Sequence, residues 1–151
     1  MTSFTTGDKD RLLELLGEKL KLSETVRDFT ERQAKLIEEG DFEKLEESLR
    51  GRQEAIDKID GLHQESSLLM QSFASSAGSG GAGSPEIESA DRKLGDVMGE
   101  CAALNEKNME LLKNKMKDQS EKSERMRQSR ESLGLYAQGG SNPAELFDRM
   151  T

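Results

Sequence analysis

An all-α fold is predicted for this chain: three long antiparallel helices in a bundle, the third overshooting the other two, with a short helical tail after them. Two observations carry that expectation. Charged residues make up 34% of the 151 positions, hydrophobic ones 32% and aromatics only 4%. Such a chain is too polar for a thick core and suits helices that each bury one narrow stripe. The apolar residues also recur at three- and four-residue spacing through three long stretches, the signature of helices with one buried face. The whole of residues 1–151 is expected to form a single helical domain.

The first helix is expected over residues 8–39. Leu12, Leu15, Leu22, Val26, Phe29 and Leu36 form its stripe, with Lys19 and Gln33 at the remaining stripe positions. Leu13, Leu16, Leu20 and Ile37 make that stripe wider than a coiled-coil seam. Gly40 breaks the pattern, and Asp41 can cap the next helix. Either a tight antiparallel turn or a kink in one continuous rod fits this break, because no proline falls between Glu38 and Glu47.

The second helix is expected over residues 41–75. Its stripe holds Phe42, Leu45, Leu49, Arg52, Ile56, Ile59, His63, Ser66, Met70 and Phe73. Residues 76–85 then read as a flexible linker by composition. A phosphate-binding loop is excluded there, since no Gly-Lys-Ser/Thr comes after it and no strand precedes it.

The third helix is expected over residues 86–133, about 72 Å against about 48 Å for the first. Ile87, Ala90, Leu94, Val97, Cys101, Leu104, Asn108 and Leu111 carry its first stripe. From Leu112 the stripe restarts one residue later through Met116, Met126 and Leu133, resembling a four-residue stutter. Beyond Leu112 apolar content falls, and residues 113–131 carry seven basic side chains against four acidic ones. In the tail, 134–151, Asn142 can cap a short helix with Pro143 at its first position. Leu146, Phe147 and Met150 then share one side.

Thirty acidic against 22 basic residues give a net charge of −8, which argues against nucleic acid or an anionic membrane as the main partner. No apolar run approaches the roughly 20 residues a membrane span needs. Residues 1–10 show neither the basic nor the apolar region of a signal peptide, so a cytoplasmic location is expected. One cysteine gives no intramolecular disulfide.

No catalytic, metal or cofactor constellation is expected. His63 and Cys101 are the only residues of their types, and zinc needs three or four ligands at short spacings. Both read as stripe residues: Cys101 as a small packed hydrophobe, His63 as a boundary side chain reaching water. The acidic runs Glu38-Glu39 and Glu46-Glu47 read as solvated faces beside Lys and Arg. Asn105 and Asn108 are more informative. Three residues apart, with Asn108 on the stripe, they serve either to fix helix register or to anchor a partner helix.

The run Leu104-Asn105-x-x-Asn108-x-x-Leu111-Leu112 resembles the N-x-x-N-x-x-L-L signature of FlgN-type flagellar export chaperones. Glu39-Gly-Asp-Phe-Glu-Lys-Leu45 and Arg52-Gln-Glu-Ala-Ile-Asp-Lys-Ile-Asp60 are similar to the first helical hairpin of that family and its FliT-like cousins. Tyr136 and Leu146-Phe147-Asp148-Arg149 are similar to a short tail motif of some members. The resemblance implies a cytoplasmic chaperone that holds terminal helical segments of hook–filament junction proteins before type III export. Its partners would be that client and the export apparatus. Independently, Met98, Met109, Met116 and Met126 give the third helix a soft surface suited to another helix. Asn105, Asn108, Leu112, Met116, Met126, Leu133, Leu146 and Phe147 are the expected partner-binding residues. The competing expectation is a structural or adaptor coiled coil that homodimerises through the same stripes.

Overall fold

The computed structural model describes residues 4–78 and 84–132. The middle of the expected linker, Leu133 at the end of the expected third helix, and the expected tail with Leu146 and Phe147 lie outside the described residues. Three helices account for the rest: α1 (Thr6–Glu39), α2 (Phe42–Gly78) and α3 (Pro85–Ser132).

Each helix begins and turns where local chemistry dictates. Thr5 opens α1 with a capping box: its hydroxyl accepts from the Asp8 N–H, and the Asp8 carboxylate accepts from the Thr5 N–H. Two otherwise orphaned donors are satisfied reciprocally. At the other end Gly40 adopts φ 73°, ψ 20°, a left-handed conformation that glycine reaches without a Cβ penalty. The Gly40 N–H then bonds the Ile37 carbonyl and the Asp41 N–H bonds the Leu36 carbonyl, the Schellman pattern. Leu36 and Phe42 pack into the same cluster across it. Asp41 caps α2 by accepting from the Lys44 N–H at 3.2 Å. The break at Gly40-Asp41 is therefore an antiparallel turn. Ser84 caps α3, accepting from the Ile87 N–H, and Pro85 takes the first helical position, where no N–H is needed.

Three apolar clusters strung along α1 hold the bundle. Leu12 and Leu16 pack with Ile87 and Leu94 and with Leu69, Met70 and Phe73. Val26 packs with Ala55 and Ile59, flanked by Ile56 and Cys101. Ile37 packs with Leu45, Leu112 and Met116. The order of partners makes the path up, down, up: α2 antiparallel to its neighbours, α3 parallel to α1. Full burial of each such leucine or isoleucine contributes about 1.5–3 kcal/mol. The α1 backbone runs close to α2 and to the part of α3 that precedes Met116, whereas α2 and α3 approach each other at few points.

Two polar layers separate the clusters. In the first, the buried Lys19 donates to Ser66 Oγ at 3.1 Å and lies 3.4 Å from His63 Nδ1. In the second, Gln33 on α1 binds Ser48 and Arg52 on α2, and Arg52 reaches Asn105 on α3. Only one register satisfies such groups together, so they specify alignment that leucine stripes alone leave loose.

The last tertiary anchors of α3 are Met116, buried in the third cluster, and Lys115, whose ammonium donates to the Glu38 carbonyl at 2.9 Å. That cation meets the negative end of α1. Beyond Met116 the helix continues to Ser132, roughly 24 Å further at 1.5 Å per residue. Over 117–127 every side chain but Gln119 is exposed.

Candidate partner-binding groove

The α2–α3 seam opens into a groove where the second polar layer meets the third apolar cluster. Ile37, Leu45, Leu49 and Leu112 give it an apolar floor; Gln33, Arg52, Asn105, Asn108 and Met109 complete the lining, around a volume of about 200 Å³. The seam stays open because Arg52 and Asn105, not two leucines, face each other across it. The Arg52 Nη1 donates to Asn105 Oδ1 at 2.6 Å and to Gln33 Oε1 at 3.2 Å. Partial burial of the guanidinium pushes it below its ordinary value, since low dielectric disfavours the charged form.

The expected partner-binding residues fall into four environments. Asn105 is half-buried on the groove rim. Asn108 is buried, and its amide donates to the Thr30 carbonyl at 2.7 Å. Leu112 and Met116 are core residues, 5% and 7% exposed. Met126 lies on the free arm and is 56% exposed. The free arm thus begins after Met116, one turn beyond the point where the stripe shifts. Leu133, Leu146 and Phe147 lie outside the described residues. The α2 wall, Leu49 and Arg52, does not figure among the expected residues. Its signal was a cation at a stripe position of α2, matched by Gln33 on α1 and the asparagine pair on α3.

The other singled-out residues sit elsewhere. His63 is exposed beside Lys19. Cys101 is half-buried, its thiol donating to the Ser23 carbonyl at 3.4 Å and pushed up by burial. The arm carries ion pairs along its own surface, Glu121 with Arg125 and Glu124 with Arg127.

The groove gathers Asn105, Asn108 and Leu112 of the asparagine–leucine run into one place. The model of the FlgN protein family matches residues 1–144, nearly the whole chain. The chain belongs to the FlgN family. FlgN proteins are flagellar export chaperones, so this one is a chaperone of flagellum assembly that binds protein clients for export. No curated protein and no solved structure matches this FlgN chain. Among the described residues, no helix is long and apolar enough to cross a membrane.

Proposed function

We propose that this FlgN chain is a cytoplasmic chaperone that seats a terminal helical segment of a hook–filament junction protein before type III export. The segment would lie in the α2–α3 groove and continue along the free arm. One observation carries the reading: the groove opens at the root of the arm and is lined by the family-signature residues Asn105, Asn108 and Leu112. An apolar floor with a few polar groups at the rim is the form that receives one face of an amphipathic helix. Leu49 on the floor offers apolar contact, and Met109 beside it adds an adaptable one. Met126 extends that contact outward, and Leu133, Leu146 and Phe147, which come after it in the sequence, are proposed as further apolar contacts.

The test is a titration of the full chain with a synthetic peptide covering the C-terminal segment of the junction protein from the same source. Leu49→Asp and Met109→Asp should each weaken binding about thirtyfold, the loss expected from removing a central anchor, while the helical signal is retained. Unchanged affinity in both variants would remove the groove from the binding site. Light scattering on the free chain addresses the competing structural reading, which requires an obligate homodimer.

A further inference from the structure

Building on the proposed docking of a client helix, we infer that the groove recognises one carboxylate on that helix and that Arg52 is its counter-ion. The geometry starts from an imbalance. Arg11, Arg27, Arg50 and Arg125 each stand against a carboxylate, on exposed or half-exposed surfaces where pairing matters little. Arg52, which faces into the groove, has none among the described residues. Its bonds run to two neutral amide oxygens, Gln33 Oε1 and Asn105 Oδ1, both from Nη1. Nε and Nη2 have no acceptor among the described residues.

Taking a guanidinium partly out of water is unfavourable unless an anion compensates it. The chain has 30 acidic residues, and none among the described residues is placed to do so. Asn105, whose oxygen already lies 2.6 Å from the guanidinium, differs from the ideal internal partner by one atom, the amide nitrogen. A purely structural bracket between helices would use that carboxylate. Leaving an amide there keeps the charge of Arg52 available at the groove wall. Its unused donors form the planar fork that a carboxylate engages with two parallel bonds. A docked helix with apolar anchors on the floor and one Asp or Glu beside them would satisfy both parts of the groove. The net charge of −8 disfavours a polyanion as the partner that brings the carboxylate.

The experiment uses the same junction-protein peptide and a series in which each Asp or Glu is changed singly to Asn or Gln. Both are titrated against the full chain, wild type and Asn105→Asp. One amide replacement should weaken wild-type binding about tenfold. Asn105→Asp should melt no lower than wild type, bind the unmodified peptide about tenfold more weakly, and no longer distinguish the two peptides. Arg52→Gln is the second variant and should show the same loss of discrimination. If the peptide binds the wild type and no single carboxylate matters, or if Asn105→Asp keeps full affinity and discrimination, Arg52 is a helix bracket and the inference is wrong. If Leu49→Asp and Met109→Asp leave binding intact, the docking itself fails, and the inference with it.

Discussion

The side-chain amide of Asn108 donates to the backbone carbonyl of Thr30 at 2.7 Å, joining α3 to α1 across 78 positions of sequence. Asn108 is only 7% exposed, so water does not replace that bond when it is removed. Asn108→Ala should lower stability by about 0.5–1.5 kcal/mol, the net worth of one hydrogen bond, since the Thr30 carbonyl keeps its place in the α1 ladder. Urea denaturation monitored by circular dichroism measures it. A loss below about half a kcal/mol would mean the bond is not what aligns the two helices.

Lys19 should be replaceable with gain. It is 7% exposed, and burial pushes its ammonium below the ordinary lysine value, with Asp91 and Asp60 opposing. The folded state therefore holds the proton less well than the unfolded chain. Between the folded value and about 10.4 the unfolded chain binds more protons, so this group makes stability rise with pH. Lys19→Met should remove that alkaline rise and add about 1 kcal/mol at neutral pH, as apolar replacements of buried charges do. Equal pH slopes in the two proteins would contradict it.

Gly51 and Gly61 both lie inside α2, yet only one is open to a methyl group. A Cβ at Gly51 would come within 2.6 Å of the Phe29 ring, whereas nothing lies within 4 Å at Gly61. The ring is also covered by Arg32 at 5.0 Å. Gly61→Ala should stabilise by up to about 1 kcal/mol through helix propensity. Gly51→Ala should forfeit that gain, because the ring must swing away. Paired thermal melts decide; equal shifts would mean the ring moves freely.

Met116 and Met126 should separate stability from binding. Met116→Asp places a charge in the cluster of Ile37, Leu45 and Leu112 and should cost several kcal/mol. Met126→Asp, on the exposed arm, should leave the melt within about half a kcal/mol while weakening the junction-protein peptide. Hydrogen exchange adds a second reading: amides over 117–127 should exchange fast alone and slow with peptide bound.

Much of this was legible in the sequence, for identifiable reasons. The three helices and the overshoot came from leucine spacing and from the thinning of apolar residues after Leu112. That Lys19, Gln33, Arg52 and Ser66 occupy stripe positions was also visible. Their partnership was not, because which polar stripe residues meet depends on register between helices, and spacing within one helix carries no such information. The turn at Gly40 stayed ambiguous for a similar reason: glycine permits both a kink and a reversal, and the Schellman bonds that decide it need Leu36 and Phe42 to have met. Met116, expected to bind a partner, is instead buried against the end of α1, because the shift of the stripe at Leu112 lets Leu112 and Met116 track Ile37.

The parallel arrangement of α1 and α3 also orders the folding reaction. The α1–α2 hairpin closes over the tight turn at Gly40, so its nearest contacts form at little loop-closure cost. Every α1–α3 contact must wait for a much longer loop to close, as the span from Thr30 to Asn108 illustrates. On loop-closure grounds α3 is expected to dock last, and the α2–α3 seam needs that docking to exist. On the docking proposed above, a chain without α3 in place would lack the groove, so client capture would require the completed fold.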